Sequence, residues 1–418
     1  MSKKNAKSDT DNDPDSISME AARELIFTAL HKVQESETIT CNKALGRIVA
    51  EPVVSNFDVP PFRASAMDGY AFRYDEHASQ LRIAQQSLAG HPSKDDALAN
   101  ECHRITTGAR VPDFADTVVQ QENVSINEQY LTIDKVPERG FHVRQPGSDS
   151  TKGQTLMQPG QRLGASQLAV LGSHGITKIQ VTRKIKIALF STGDELVNPG
   201  EALPPGSIYE SNRILLTALL GSSATEIIDI GIVKDSHAAL ADAMRQCSDA
   251  DMVISSGGVS VGDADFVRPV LEQSGKLHMW KIAMKPGRPL TFGVLPQSKP
   301  YFGLPGNPVS SAVTCMMFVV PAIKQLLSQT VNELPRLPAR LQTTLTKLPG
   351  RVEYQRGVLT RDDSGNWLVG TTGLQDSHVI TSLHEANCFV ELNMDSRGAA
   401  AGETVAVIPF ELFADSPV

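Results

Sequence analysis

Strands that alternate with helices between residues 184 and 329 constrain the fold of this 418-residue chain more than any other feature. Short apolar runs between turn residues are typical of buried strands. Such runs occur at 185–190, 226–231, 252–254 and 300–304, and helical patterns occur at 208–222, 237–247 and 309–328. Because strands joined through helices align in parallel, this alternation predicts a mainly parallel sheet that helices cover on both faces.

Polar motifs stand where the predicted strands end. They are Thr192-Gly-Asp-Glu195, Asp235, the stretch from Ser256 to Asp265, and Pro305-Gly-Asn-Pro-Val-Ser310. In open parallel sheets, ligands bind beyond the carboxyl ends of the strands. The sequence therefore predicts a ligand site at that edge of the sheet.

The stretch from Ser256 to Asp265 joins a predicted strand to a predicted helix through two adjacent glycines. Ser256, Gly257, Gly258 and Ser260 are candidate phosphate contacts, because a glycine turn before a helix directs several backbone N–H groups at one point. The carboxylates that follow would repel a bare anion, so a bridging divalent cation is expected with it. The alternative is an ordinary strand-to-helix turn with capping residues.

Basic residues lie on a proline-rich stretch between the last two elements, which we interpret as a stiff loop. Lys281, Lys285 and Arg288 could bind a polyanion there, although a solvated basic loop would have the same composition. Together with carboxylates at the strand ends, they suit metal-assisted chemistry on a phosphoanhydride. The sequence has no Walker loop and no dinucleotide fingerprint.

The rest of the chain predicts a multidomain α/β plus β protein. The expected parts are a disordered tail (1–16), a small mixed N-terminal domain (17–57 and 144–182), an inserted β-rich domain (58–143), an α/β/α domain (183–329) and a C-terminal β-barrel (330–418). Short strand patterns between turn residues indicate the inserted domain. A hairpin around Asp362-Asp-Ser-Gly-Asn366 indicates the barrel.

Composition narrows the functional classes. The net charge of −8 argues against a general nucleic-acid binder. The five cysteines are scattered without CxxC spacing, which favours a reducing cytoplasm over a disulfide framework. The first residues lack the apolar core of a signal peptide, and the longest apolar run, 313–323, is short and contains Pro321, so no membrane association is expected.

Six motifs, in this order and spacing, make the chain resemble the molybdopterin molybdenumtransferase family, to which the C-terminal domain of gephyrin is related. They are Ser65-Ala-Met-Asp-Gly-Tyr-Ala71, Thr106-Thr-Gly108, Phe190-Ser-Thr-Gly-Asp-Glu195, Ser256-Gly-Gly-Val-Ser-Val-Gly-Asp-Ala-Asp265, Lys285-Pro-Gly-Arg-Pro289 and Gly303-Leu-Pro-Gly-Asn-Pro-Val-Ser310. The resemblance extends from about residue 17 to 412. It implies that molybdate is inserted into adenylylated molybdopterin with release of AMP, and that Mg²⁺ or another divalent cation takes part.

The resemblance also implies a homodimer of four-domain subunits, with a site between the α/β domain and the neighbouring subunit. An adenylylating partner protein and molybdoenzyme apo-proteins would be further partners. Family positions map onto Asp68, Thr107, Asp149, Asp235, Lys281 and Lys285 as catalytic candidates, and onto Asp265 and Glu195 as metal candidates. The chain departs from the family pattern at Arg63-Ala64, Ser148 and Arg288.

Molybdate needs several donors and a fixed positive charge. Lys285, Arg288 and Ser310, at a predicted helix N-terminus, could supply them. We also expect Arg356 and Ser377 of the barrel to contribute, unless Arg356 only pairs with a strand neighbour such as Glu353.

Two other functional classes remain open. One is a non-catalytic scaffold, as in the animal relative, but retention of Asp68, Asp265 and Lys285 favours an enzyme. The other is a nucleotide pyrophosphatase, because related single α/β domains occur in such enzymes. The β-rich segments around the α/β unit argue against it.

Overall fold

The computed structural model describes residues 11, 13–74, 80–258 and 276–413, without the side chains of 276, 277 and 279. The chain divides into two compact units. The first comprises residues 1–50, 159–165 and 179–418, and the second comprises 51–158 and 166–178.

A seven-stranded sheet is the centre of the first unit. Its strands, in chain order, are β1 (Ser16–Ile17), β2 (Ile185–Thr192), β3 (Thr225–Val233), β4 (Met252–Ser256), β5 (Lys276–Ile282), β6 (Pro289–Leu295) and β7 (Lys299–Leu304). In space they follow the order β1-β5-β6-β7-β4-β2-β3, so that β1 and β3 are the outer strands. Only the β5–β6 and β6–β7 pairs are antiparallel among the described strands, which confirms the mainly parallel sheet.

Helices cover both faces of this sheet, as predicted. Ile187 and Leu189 point into the core beneath helices Met19–Ala29, Asn212–Leu220 and Pro308–Leu326. Ala188 and Phe190 point to the opposite face, against helix His237–Gln246. The alternation follows from the two-residue period of a strand, and all four side chains are 0% exposed, so the strand is buried on both sides.

Two predictions about local structure are wrong. The stretch 280–290 is not one stiff loop. Its two ends belong to β5 and β6, with Ile282 and Leu290 buried in the core, and the segment between them contains the short strand Met284–Lys285. The predicted disordered tail is also too long: Ser16 pairs with Lys281 in the sheet, and Asp13 makes ion pairs.

The long helix Pro308–Leu326 continues through Pro321, where the sequence suggested a break. It is α-helical at Pro308–Thr314 and Val320–Leu326, with a π-helical turn at Cys315–Val319 between them. Proline has no N–H, so the carbonyl of Met317, four residues earlier, loses its helical donor. Arg23 Nε donates to that carbonyl at 3.0 Å and replaces the missing bond.

By length and composition alone, Pro308–Leu326 is the one described helix that could cross a membrane. However, 78% of its apolar window is buried inside the protein, as in the core helix of a globular domain.

Five strands close into a barrel in the C-terminal part of the first unit, which confirms the predicted β-barrel. Its order is Val352–Arg361, Trp367–Thr371, Leu337–Leu341, Thr404–Pro409 and Cys388–Leu392, and the last strand pairs again with the first. A short strand, Met284–Lys285, adds to the barrel beside Val352–Glu353. Short helix Thr381–Glu385 follows the loop after the second barrel strand.

The second unit is β-rich, as expected for the inserted segment. Its six-stranded sheet has the order Thr117–Gln120, Gly69–Phe72, Glu101–Ile105, Gln80–Ser87, Tyr130–Ile133 and Val124–Asn127. Helix Ala165–Ser173 also belongs to this unit.

Further short elements occur in the part of the chain that the structure describes. Two-stranded ladders join Ala64–Ser65 to Val143–Arg144, Val53–Val54 to Thr155–Met157, Ser36–Thr40 to Lys178–Thr182, Leu196–Val197 to Ile208–Tyr209, and Leu345–Thr346 to Gly398–Ala399. Single 3₁₀ turns occur at Cys41–Lys43, Gln121–Asn123, Pro296–Ser298 and Phe410–Leu412.

Candidate functional site

A cavity of about 910 Å³ lies at the edge of the central sheet where the parallel strands end. Its lining comes from the segments that follow β2, β3, β4 and β7, and from the turn between β5 and β6. The polar motifs that follow the predicted strands in the sequence lie at this same edge. The volume is at the upper end of the range of small-molecule sites, roughly 300–1,000 Å³.

Charge is ordered along this cavity because the strand order separates the motifs. Glu195 and Asp235 follow β2 and β3, on one side of the sheet. Lys281 and Arg288 come from β5 and the turn before β6, on the other side. The uncharged turns after β4 and β7 lie between them. The cavity therefore has a carboxylate end, a neutral middle and a cationic end.

The neutral middle depends on Gly257. Its φ is +87°, and a Cβ at this position would lie 2.6 Å from the carbonyl oxygen of Thr192. No other residue fits without moving the end of β2. The N–H of Gly257 donates to the carbonyl of Leu304 at 3.1 Å, so this amide is not free for a phosphate. Gly258 also has positive φ and lines the cavity, whereas Ser260 lies outside the described residues.

Asn212 is a cavity residue that the sequence reasoning missed. Its Nδ2 donates to Ser256 Oγ at 2.8 Å and to the carbonyl of Gly306 at 2.7 Å. Both amide protons are used, which fixes the orientation of the side chain and ties the turns after β4 and β7 together. The sequence predicted a helix over 208–222, whereas the helix begins at Asn212, directly after the short strand Ile208–Tyr209, so the position of Asn212 at a helix N-terminus was not recognised.

Carboxylates crowd the other end of the cavity. Burial is the main reason that the pKa of Asp235 is raised, and the neighbouring carboxylates of Asp194 and Glu195 raise it further. Glu195 packs so closely over Gly193 that a Cβ there would lie 2.6 Å from Oε2. Carboxylates that repel one another at a strand end provide the hard oxygen donors preferred by Mg²⁺.

The described residues contain no group of three His, Cys, Asp or Glu side chains positioned to hold a metal ion. Asp265, the first metal candidate from the sequence, lies outside those residues. The donor chemistry at Glu195 and Asp235 fits a divalent cation, but a complete ligand set for it stays a prediction.

At the cationic end, the amino-terminal segment supplies carboxylates. Lys281 Nζ lies 3.2 Å from Asp13 Oδ2 and 3.8 Å from Asp15 Oδ2. Arg288 also binds Asp13. The two cations proposed for a polyanion are therefore already paired within the chain.

Lys285 does not line this cavity. It lies beside the first barrel strand, 48% exposed, with Nζ 3.4 Å from Glu353 Oε1. Lys285 and Glu353 occupy paired positions of neighbouring strands, which explains the contact.

The further oxyanion candidates Ser310 and Ser377 lie at or near the N-terminus of helix Pro308–Leu326. Ser310 is 6% exposed inside the helix and is not a cavity residue. The carbonyl of Ser377 accepts from Val309 N at 3.1 Å, and its hydroxyl accepts from Asn307 Nδ2 at 3.0 Å. The barrel loop thus caps the N-terminus of this helix, where the sequence analysis expected an oxyanion to bind.

Arg356 is 1% exposed and forms hydrogen bonds that anchor this same loop. Its guanidinium donates to Ser382 Oγ and to the carbonyls of Leu374 and Asp376, at 3.0 to 3.3 Å. Burial lowers the pKa of Arg356 to about 10, so it stays charged at neutral pH. The loop that it anchors presents His378 to the cavity, and direct contact between Arg356 and a ligand stays a prediction.

Asp68 and Thr107 meet in the second unit. The N–H and the hydroxyl of Thr107 donate to Asp68 Oδ1 at 2.7 and 2.9 Å. The N–H bond first, and then the hydroxyl bond, hold the pKa of Asp68 below its usual range. The side chain of Asp68 is exposed and ionised, as a residue that binds a cation or orients a substrate requires.

Asp149 and Arg63 also belong to the second unit. Asp149 is exposed, and its N–H donates to the carbonyl of Val59 at 2.9 Å. Arg63, one of the departures from the family pattern, donates to the carbonyls of Ala115 and Pro112 at 2.8 and 3.1 Å. Its charge anchors the 112–115 loop and is not bonded to Asp68.

Comparison with known families finds three consecutive matches. The MoeA N-terminal region (domain I and II) matches residues 17–175, a probable molybdopterin binding domain matches 188–325, and the MoeA C-terminal region (domain IV) matches 338–410.

Individual relatives agree with these matches. A molybdopterin molybdenumtransferase of Haemophilus influenzae is 38% identical, over 94% of this chain and 98% of the relative. Gephyrin of Dictyostelium discoideum is 32% identical, over 90% of this chain and 59% of its own length. A molybdopterin biosynthesis MoeA protein of Pyrococcus horikoshii superposes with a TM-score of 0.79 at 32% identity, covering 94% of this chain and 99% of that protein.

Proposed function

Because this chain belongs to the molybdopterin molybdenumtransferase family, we propose that it transfers molybdenum from molybdate to the dithiolene sulfurs of adenylylated molybdopterin and releases AMP. The observation that carries the proposal is the order of groups in the 910 Å³ cavity, with carboxylates, glycine turns and cations in sequence along the sheet edge. Such an order suits a substrate with a phosphoanhydride and a second, separate oxyanion.

The neutral middle of the cavity suits the body of the substrate. Asn212 and Ser256 offer fixed polar groups there, and Trp280 offers an aromatic surface, itself stacked on Phe292 with ring centres 5.8 Å apart. Heteroaromatic rings bind well where a few fixed polar groups accompany an aromatic side chain.

The cationic end suits oxyanions. Lys281 and Arg288 would stabilise phosphate or molybdate oxygens, with Arg288 offering a planar fork of donors and Lys281 a single charged point. Lys285, which lies beside the first barrel strand, would stabilise an oxyanion from there.

Mg²⁺ or another divalent cation would be held by Glu195 and Asp265, with Asp235 nearby. Bound there, it would neutralise charge on the phosphoanhydride as AMP leaves.

The proposal also includes a cytoplasmic homodimer, in which Asp68, Thr107 and Asp149 of one subunit serve the cavity of the other. An adenylylating protein would deliver the substrate, and molybdoenzyme apo-proteins would receive the product. These statements rest on the resemblance to the family.

The decisive experiment measures AMP. Purified protein is given adenylylated molybdopterin and MgCl₂, with and without molybdate, and AMP is followed by chromatography. AMP release that depends on molybdate supports the transferase. Release at the same rate without molybdate would indicate a pyrophosphatase and overturn the proposal.

Asp265→Asn tests the cation site within the same assay. Loss of a carboxylate ligand should slow AMP release by about a hundredfold or more at saturating Mg²⁺. Asp363→Asn is the matched control, because Asp363 is an exposed residue of the barrel hairpin turn and should keep the wild-type rate. Equal rates for Asp265→Asn and wild type, with circular dichroism unchanged, would remove Asp265 from the mechanism.

A further inference from the structure

The amino-terminal segment carries carboxylates that bind basic residues at the cationic end of the cavity. Asp13 contacts both Lys281 and Arg288, Asp15 approaches Lys281, and Asp11 binds Arg351. Lys281 and Arg288 line the cavity, whereas Arg351 precedes the first barrel strand. Three acidic side chains thus face three cations.

Backbone contacts fix this arrangement. Ser16 pairs with Lys281, and Ile17 pairs with Ile282, which places the segment along the edge of β5. Before that strand the chain turns back: Ser16 N and Oγ both donate to the carbonyl of Asp13, at 3.0 and 2.6 Å. The N–H of Asp15 donates to Asp13 Oδ1 at 3.0 Å. The turn therefore delivers the Asp13 carboxylate to the side chains of Lys281 and Arg288.

The position of Asp13 matches that of an anionic ligand. Its side chain is 18% exposed, although it belongs to a segment rich in polar residues. Each oxygen has a role: Oδ1 accepts the N–H of Asp15, and Oδ2 meets the two cations. A carboxylate oxygen that contacts an ammonium group and a guanidinium group makes the same contacts as we expect for a phosphate or molybdate oxygen.

We propose that the Asp13 carboxylate, with Asp15 beside it, is an internal anion that competes with the oxyanion substrate for Lys281 and Arg288. The inference rests on the proposed function in one respect, the identity of the oxyanion as molybdate. Substrate must displace Asp13 before it reaches both cations. Because the competitor is tethered, its effective concentration does not change with the protein concentration.

The contact energies allow such displacement. Ion pairs with partners this exposed are weak, since Lys281 is 45% and Arg288 36% exposed. Asp13 would therefore reduce the affinity of the site without closing it. An arrangement of this kind lets a strong oxyanion enter and holds the cations paired in its absence.

Binding of sodium molybdate alone tests the proposal without turnover. Trp280 lies in the cavity beside Lys281, and the only other tryptophan is Trp367, so Trp367→Phe leaves one fluorescent reporter at the site. In that background, Asp13→Asn should lower the half-saturating molybdate concentration by roughly threefold to tenfold. Asp15→Asn should have a smaller effect, because Asp15 is 79% exposed and 3.8 Å from Lys281.

Asp363→Asn makes the same chemical change away from the cavity and should leave the molybdate titration unaltered. Hydrogen exchange provides a second measurement: added molybdate should speed amide exchange across residues 13–17 of the wild type. An equal or higher half-saturating concentration in Asp13→Asn, or no binding to either protein, overturns the proposal. If Asp13→Asn binds molybdate more tightly while no variant releases AMP in a molybdate-dependent way, the competition stands and the proposed transferase activity fails.

Discussion

Asp235 shows how a cavity residue can reduce stability. Its carboxyl group is partly buried near the carboxylates of Asp194 and Glu195, and its pKa is raised by burial first and by these charges second. A raised pKa means that the folded state disfavours the ionised form. At low pH the group is protonated in both the folded and the unfolded chain, so it does not lower the free energy of unfolding. As pH rises past the ordinary value of 3.8, the unfolded chain ionises more readily, and the fold loses stability.

Asp235→Asn should therefore stabilise the metal-free protein at pH 7.5 and have little effect near pH 3.5. We expect a rise in Tm on the order of 1 °C at pH 7.5, since 1 kcal/mol corresponds to about 2–4 °C in domains of 150–250 residues. Scanning calorimetry across this pH range measures it, with Asp363→Asn as the control for loss of one negative charge. A variant that is less stable than wild type at pH 7.5 would contradict the sign of the shift.

Residue types predicted the chemistry of the site better than its contacts. Glu195 and Asp235 were identified as candidates because they follow predicted strands, and Lys281 and Arg288 because they lie on a basic, proline-rich stretch; all four line the cavity. Asn212 was missed because its importance lies in two hydrogen bonds to turns far away in sequence. Partners of this kind depend on tertiary packing, which no local pattern contains.

Among the elements, helix Pro308–Leu326 shows how a tertiary contact can preserve a helix through proline. Pro321 cannot donate to the carbonyl of Met317, and the side chain of Arg23, from helix Met19–Ala29, donates in its place. An unpaired buried carbonyl would cost roughly 1–3 kcal/mol. Arg23 also lies near the ring of Phe318, at 5.9 Å, and contributes packing there.

Arg23→Leu should lower the free energy of unfolding by about 1–2 kcal/mol, because it leaves the Met317 carbonyl without a donor. In a Pro321→Ala background the helix regains its own N–H, and the same substitution should cost about 1 kcal/mol less. Urea unfolding of the four proteins in this cycle measures the difference. Equal costs in both backgrounds would show that Arg23 acts through packing on Phe318 alone.

The barrel hairpin was predictable from its turn residues. The turn around Asp362-Asp-Ser-Gly-Asn366 joins strands Val352–Arg361 and Trp367–Thr371, as the sequence predicted. The β5–β6 hairpin was not predicted, because its prolines and basic residues resemble a loop and its pairing to β7 and β1 is decided by the sheet. The side chain of Ser18 caps the first helix, Met19–Ala29, by accepting from Ala21 N.

At the scale of the whole molecule, the residues proposed for the site fall in both units. Asp68 and Thr107 belong to the second unit, and the cavity belongs to the first. The resemblance to the family implies that they cooperate across a homodimer. This arrangement can be tested without knowing how the subunits are placed.

Mixing two inactive variants, Asp68→Ala and Asp265→Ala, should restore part of the AMP release. If sites are shared, half of the molecules in a random mixture would be mixed dimers, each with one intact site. The expected recovery is therefore about a quarter of the wild-type rate for two equal sites per dimer. Confirmed subunit exchange with no recovery would argue that each subunit works alone.

The two outer strands of the central sheet have a consequence for how the protein behaves at high concentration. One edge is formed by β1, only two residues long, so it offers a short template to another chain. The other edge, β3, carries the exposed Glu226 and holds Asp229 in contact with both Arg213 and the solvent. An incoming strand would have to desolvate these charges. Growth of the sheet from one molecule into the next is therefore disfavoured at the β3 edge.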